Sequence, residues 1–196
     1  VQPTIQVLSG ELEEVNPRFF EHAYVRHGMP ASLVKWYQSE AGQFFKRMLA
    51  EQVVQPGASA DDAYQMMKKM YAKPLRSVQN MTANLHKAGA TLQFGSDTPS
   101  GPFYTQFPGM NGRWEMDRWL EAGMNLQELF DAMTVHNAKA LGLEKQLGRV
   151  AVGMQADLLL MRENPLRSVT AYDQIQIVFL RGKPIQREHL SATQLH

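Results

Sequence analysis

The residue best suited to chemistry is Asp97. It closes the run Ala90-Thr91-Leu92-Gln93-Phe94-Gly95-Ser96 and is followed by Thr98-Pro99-Ser100-Gly101-Pro102. The run is short, apolar and without helical spacing, and the Pro and Gly residues after it can continue neither a helix nor a central strand. It predicts a strand with a loop at its carboxyl end, where α/β barrels and open α/β sheets hold their reactive groups. A carboxylate there can bind a metal ion or accept a proton. It can equally start the loop as an Asx turn, bonded to the backbone of Thr98 to Ser100. The residue types leave both readings open.

The six histidines form no metal-binding pattern. His22 and His27 are five residues apart, which on a helix turns them roughly 140° from each other. His86, His136, His189 and His196 are isolated, with no His-x-His or His-Glu-x-x-His. His136 shares a helix with Thr134 and Asn137, where a lone histidine is more often a surface or packing residue. Asn137 interrupts an apolar stripe, so its role is to tie that helix to a neighbouring backbone. Tyr104, Arg113 and Trp114 either line a pocket or pack a lid. Asp61-Asp62 read as a helix start and Glu13-Glu14 as a solvated face.

The elements that must position Asp97 follow from periodicity. Val1 to Leu8 is rich in β-branched and apolar residues and predicts a strand closed by Ser9-Gly10. Leu33, Tyr37, Ala41, Phe44 and Met48 make one helical stripe, ending near Gln55-Pro56-Gly57. Ser59 with Asp62 caps a second helix carrying Ala63, Met67 and Met70, and Pro74 opens a third that ends at Gly89. Helical spacing resumes from Glu115 to Ala122. Asn125 with Glu128 starts another helix, with Leu126, Leu129, Phe130, Met133 and Ala140 on its buried side. Beyond Gly148 the pattern is β: Arg149–Val152, Asp157–Met161 and Ile175–Leu180, with turns at Gly153, Asn164-Pro165 and Gly182.

Composition excludes several functions. There are no cysteines, so thiolate zinc sites, iron–sulfur clusters, disulfides and cysteine nucleophiles are out. The 20 Lys plus Arg balance 19 Asp plus Glu to a formal charge of +1, without the basic tract that tracks phosphates, so nucleic acid is not an expected partner. No apolar run approaches the ~18 residues that span a bilayer. The chain reads as a soluble protein of cytoplasm or periplasm with no membrane partner, and its 12 methionines read as core filling.

An ordered set of segments carries a resemblance. Ala88-Gly89-Ala90, Gly95-Ser96-Asp97-Thr98-Pro99, Ala122-Gly123-Met124, Ala132-Met133-Thr134 with Asn137-Ala138, Leu141-Gly142-Leu143, Leu147-Gly148, Val152-Gly153, Ala156-Asp157-Leu158, Asn164-Pro165-Leu166 and Val178 with Gly182 resemble the C-terminal portion of the metal-dependent amidohydrolase superfamily. The look is nearest to its imidazolonepropionase-like and Xaa-Pro-dipeptidase-like members. Pro3-Thr4 resembles the Pro-Thr of the seventh barrel strand in such proteins.

The resemblance implies an α/β fold, the C-terminal part of a (β/α)8 TIM-type barrel with strands 7 and 8 and their helices, plus strands of the accompanying β-sandwich. Residues 1–147 would form the partial barrel, with a helical insertion at about 11–75, and 148–196 the sandwich strands. Asp97 would be the aspartate ending strand 8, a ligand of a divalent metal, zinc by expectation, and the proton shuttle in cleavage of an amide, peptide or cyclic amide C–N bond. Asp157 would be structural. The family's other metal ligands have no counterpart here, so the expectation is that an N-terminal half, or an oligomer partner, is missing. The chain alone would then hold no stoichiometric transition metal and hydrolyse no amide. The competing reading is a non-enzymatic binding or assembly module that keeps the scaffold without the metal centre.

Overall fold

The computed structural model describes residues 1–53, 57–100 and 103–194. Two extended segments, residues 1–4 and 90–96, lie side by side. The Val1 amino group donates to the Thr91 carbonyl at 3.0 Å, and the Gln93 N–H donates to the Val1 carbonyl at 2.8 Å. One residue bonding both neighbours of the residue opposite, here Leu92, is the pattern of a parallel pair. A Cβ on Gly95 would fall 1.5 Å from Gln2 Nε2, so the absence of a side chain there lets the segments touch. Neither segment extends into a regular ladder.

The strand expected over Val1–Leu8 stops early, because α1 (Gln6–Glu13) begins where it should continue. Helix α6 (Met110–Glu121) supplies the reason. Its Glu115 carboxylate accepts the N–H groups of Ile5 at 3.1 Å and Gln6 at 2.5 Å, satisfying donors that a first helical turn leaves orphaned. A tertiary contact overrides the β-branched local preference.

The stripe Leu33–Met48 is split into α3 (Ala31–Tyr37) and α4 (Phe44–Val53), after a short α2 (Ala23–Gly28). Ser39 makes the break: its hydroxyl donates to the Trp36 carbonyl at 2.5 Å and accepts the Gly42 N–H at 3.3 Å. Gln55 and Pro56, where this helix was expected to end, lie outside the described residues. The two helices expected around Pro74 are one, α5 (Ala60–Lys87), which therefore runs across residue 75. A proline removes one N–H from a helix, and here the stripe of Ala63, Met67, Leu75, Val78 and Thr82 stays packed on both sides of it. Ser59 and Asp62 form the expected capping box.

Helix α6 begins five residues before Glu115, after Gly109 at φ +85°. Helix α7 (Leu126–Asp131), capped by Asn125 and Glu128, widens into a π turn at Ala132–His136 and continues as α8 (Asn137–Ala140). Ile5, Leu92, Trp119, Met124, Leu129 and Ala132 form one core. Phe19, Val25, Met29, Tyr104 and Met110 form a second between the helices after α1 and the loop after Asp97.

The tail is a three-stranded antiparallel sheet in the order β1 (Leu158–Met161), β2 (Ile175–Leu180), β3 (Lys183–Gln186). Arg181 and Gly182 both have positive φ, as a two-residue hairpin turn with the right twist requires. Asp157 accepts the Arg181 N–H at 2.6 Å and so braces that turn, the structural role expected of it. Arg149–Val152 is not a strand. No strand pairs with it among the described residues, and Val150 and Val152 stand exposed.

Candidate active site

Asp97 ends the 90–96 segment in the left-handed region, at φ +51°. Its neighbours hold the turn. Asn111 of α6 donates through Nδ2 to the Ser96 carbonyl at 2.9 Å and to Thr98 Oγ1 at 2.7 Å, and the Ser96 and Thr98 hydroxyls lie 2.8 Å apart. The Asp97 carboxylate is exposed and makes no hydrogen bond among the described residues. The Asx-turn alternative is thus not what forms this turn. Gly101 and Pro102, on the same loop, lie outside the described residues.

The segment leading to Asp97 is fixed by side chains in the way a neighbouring strand would fix it. Asn137 accepts the Phe94 N–H at 3.1 Å through Oδ1 and donates to the Phe94 carbonyl at 2.9 Å through Nδ2. His136 Nδ1 lies 3.1 Å from the Leu92 carbonyl. These bonds to alternate residues of one extended segment come from adjacent residues at the end of the π turn. Asn137 has the tethering role expected of it, and His136 shares it.

Among the described residues no three His, Asp or Glu side chains are grouped to hold a metal ion. His22 caps α2 by accepting the Tyr24 N–H at 3.2 Å, His27 Nδ1 sits 3.1 Å from Ser191 Oγ, and His86 Nε2 lies 2.7 Å from Glu128 Oε1. His196 is outside the described residues. Among the described residues Asp97 therefore stands in no group of metal ligands, and those residues do not by themselves fit a metal centre.

Tyr104 and Trp114 pack in the aromatic core with Phe19. Arg113 joins α6 to the turn at Val169–Gln174: Nε and Nη2 bond the two Asp173 oxygens at 2.9 and 3.1 Å, and Nη1 bonds Asp117 at 2.8 Å. Arg113 also lines an open cleft of about 1640 Å³ between α6, the α7–α8 helix and the C-terminal sheet, with Met133, Leu143, Leu158 and Met161 among its apolar walls. Asp97 is not in that cleft.

The sequence reading is corrected at Glu14, which is no solvated face. Glu14 is 0% exposed. Burial pushes its carboxyl up to about 8, against the Tyr104 hydrogen bonds, which lower it. Glu115 is also 0% exposed, and burial lifts it to about 7 although three N–H groups, those of Ile5, Gln6 and the Trp119 indole, point at it. Apart from the Trp119 indole four residues on, their partners lie 90 to 110 residues away in the chain, so the local sequence does not mark them.

Two extended segments running parallel, with an exposed carboxylate at their carboxyl end and helices packed against them, form the local arrangement of an α/β unit. Residues 16–186 match the amidohydrolase family, and the chain belongs to it. Among solved structures it is similar to a Xaa-Pro dipeptidase with bound methionine, at 20% identity and TM-score 0.53, over 71% of this chain and 32% of that one. It is also similar to a protein from Bifidobacterium longum assigned as a prolidase, at 20% identity and TM-score 0.52, over 94% and 34%. An uncharacterised protein matches at 22% identity and TM-score 0.51, over 72% and 33%. The chain spans about a third of the length of these structures. No curated protein matches it significantly. No helix among the described residues is long and apolar enough to cross a membrane.

Proposed function

We propose that this chain is the C-terminal part of an amidohydrolase barrel, strands 7 and 8 with their helices, and that Asp97 is the catalytic carboxylate for hydrolysis of an amide, peptide or cyclic amide C–N bond. The observation that carries this reading is the Asp97 side chain, held at the end of an extended segment by a turn it takes no part in building. Asp97 accepts a proton from the water that attacks the carbonyl carbon and returns one to the departing nitrogen. The family association adds a divalent metal, to which Asp97 would contribute one oxygen. No other ligand is grouped with it among the described residues, so no step is assigned to the ion. The names of the similar structures, a dipeptidase and a prolidase, support dipeptides ending in proline as the first substrates to try.

The test is Asp97→Asn in the complete gene product, assayed on Xaa-Pro dipeptides and N-acyl amides. Turnover is expected to fall by about 10²–10⁴-fold with folding and metal content unchanged. Near-normal turnover in the variant would sink the assignment. Absence of turnover in both proteins would favour the scaffold-only, non-enzymatic reading.

A further inference from the structure

Glu14 is a fully buried ionisable group that the proposed chemistry does not use. It sits just past the end of α1, facing the loop that begins at Asp97. Three consecutive residues of that loop are bonded to α1 and its end. Tyr104 N–H donates to Glu14 Oε1 at 3.0 Å and its hydroxyl to the Glu14 carbonyl at 2.9 Å. Thr105 Oγ1 donates to the Gly10 carbonyl at 2.6 Å, and Gln106 Nε2 to the Val7 carbonyl at 3.1 Å. Tyr104, Thr105 and Gln106 are themselves buried. A Cβ at position 10 would lie 2.7 Å from Gln106 Cγ, so Gly10 is what lets the loop seat this closely.

The charged form of Glu14 is poorly provided for. Oε1 receives one backbone N–H and Oε2 has no partner. Burial first and the Glu14 carboxylate second disfavour ionisation of the Tyr37 hydroxyl on α3, and Lys46 of α4 lowers the Glu14 carboxyl without forming an ion pair among the described residues. Tyr64 and Tyr71 of α5 bond Glu13 and Glu11 instead, and Glu115 of α6 serves the other end of α1. A buried carboxylate with an unpaired oxygen is costly, whereas the neutral acid keeps the Tyr104 bonds without a buried charge.

We propose that Glu14 is a positioning residue whose neutral carboxyl locks Tyr104–Gln106, which follow Asp97 in the chain, onto α1, and that its ionisation loosens that lock. With the Glu14 carboxyl pushed up to about 8 while the loop is seated, the lock weakens as pH rises above the ordinary carboxylate range and levels off near 8. The consequence for catalysis rests on the reading of Asp97 above; the lock does not.

Amide hydrogen exchange on the full chain tests it, with exchange times scaled for the intrinsic effect of pH. In the wild type, protection of a peptide covering residues 103–110 is expected to fall by up to about tenfold per pH unit from pH 6 and to level off near 8, while peptides from α5 stay unchanged. Glu14→Gln keeps the acceptor for Tyr104 and puts its NH2 where Oε2 had no partner, so its loop is expected to stay protected at both pH values. Tyr104→Phe keeps the backbone donor but loses a hydroxyl that lowers the Glu14 carboxyl, so its loop is expected to keep responding to pH and to level off above 8, a second reading should Glu14→Gln fail to fold. A wild-type loop insensitive to pH, a Glu14→Gln loop that still opens, or loss of the response in Tyr104→Phe would each overturn the proposal. These results stand apart from Asp97→Asn turnover, so failure of one reading is distinguishable from failure of the other.

Discussion

Asn137 and Phe94 exchange two hydrogen bonds, at 3.1 and 2.9 Å, in the way two paired strands would. An amide side chain offers the same donor and acceptor as a peptide unit, so one residue of a helix closes both backbone groups three positions before Asp97.

Asn137→Ala is therefore expected to leave both Phe94 backbone groups without that partner and to cost about 2 kcal/mol. The midpoint of urea unfolding should fall with the slope unchanged. Asn137→Asp keeps the acceptor for the Phe94 N–H but turns an unprotonated oxygen on the Phe94 carbonyl, and should cost at least as much. A midpoint unmoved by Asn137→Ala would mean that water or the Ala132 carbonyl, 3.5 Å from the Phe94 N–H, satisfies the strand as well.

Glu14 and Glu115 make stability fall as pH rises. Both carboxyls hold their protons more tightly in the folded chain, at about 8 and about 7 against an ordinary 4.5. Below the ordinary value both states are protonated and their contribution to stability is fully present. Between about 4.5 and 7 the unfolded chain gives up protons that the folded chain keeps, so stability drops, by up to about 1.4 kcal/mol per pH unit for each group. The loss levels off as Glu115 and then Glu14 ionise in the fold. Glu115→Gln should roughly halve the slope between pH 5 and 7, measured by denaturant unfolding at several pH values; an unaltered slope would show that Glu115 is ionised in the fold throughout.

What was legible beforehand was local. Ser59 with Asp62 and Asn125 with Glu128 act within four residues, and the helices start where those patterns stand. The Asn164-Pro165 turn and the bend at Gly182 likewise depend on neighbours in sequence. Glu14, Glu115 and Asn111 were not legible. A carboxylate beside another on a helix looks solvated until a loop 90 residues later covers it, and the β-branched start of the chain looks like a longer strand until Glu115 caps a helix across 110 residues. The Ser39 break fell in a stripe whose apolar spacing is unbroken, because the signal was a hydroxyl competing for a helical carbonyl rather than a missing apolar residue.

Arg113 and Asp173 should be coupled strongly for an ion pair, since the contact is bidentate and the Arg113 side chain is 12% exposed. Asp173→Ala also takes an acceptor from the Tyr24 hydroxyl, 2.9 Å away. A loss of about 1–3 kcal/mol is expected. A double-mutant cycle with Arg113→Ala checks it: a coupling near zero would mean that Asp117 holds the guanidinium unaided.

The three-stranded sheet ends in β1 and β3, each with one edge unpaired among the described residues, and Leu159, Leu160, Val150 and Val152 are exposed beside it. Open edges with apolar side chains pair between chains. This chain by itself is expected to self-associate at micromolar concentration in light scattering, and Leu159→Lys with Leu160→Lys to reduce it. A dilute, stable wild-type monomer would contradict this.

Asp97 itself should contribute nothing to folding. The turn stands on Ser96, Thr98 and Asn111, and Asp97 occupies φ +51° without a side-chain bond among the described residues, a conformation that costs a residue with a Cβ on the order of 1 kcal/mol. Glycine removes both that strain and the carboxylate. Asp97→Gly is thus expected to leave stability within about 0.5 kcal/mol of wild type or to raise it. Thr98→Val, which takes an acceptor from buried Asn111, should cost about 1–2 kcal/mol. Were Asp97 the residue that forms the turn, the order of the two effects would reverse, with Asp97→Gly the damaging change; thermal unfolding of the two variants side by side decides between a carboxylate kept for structure and one kept for chemistry.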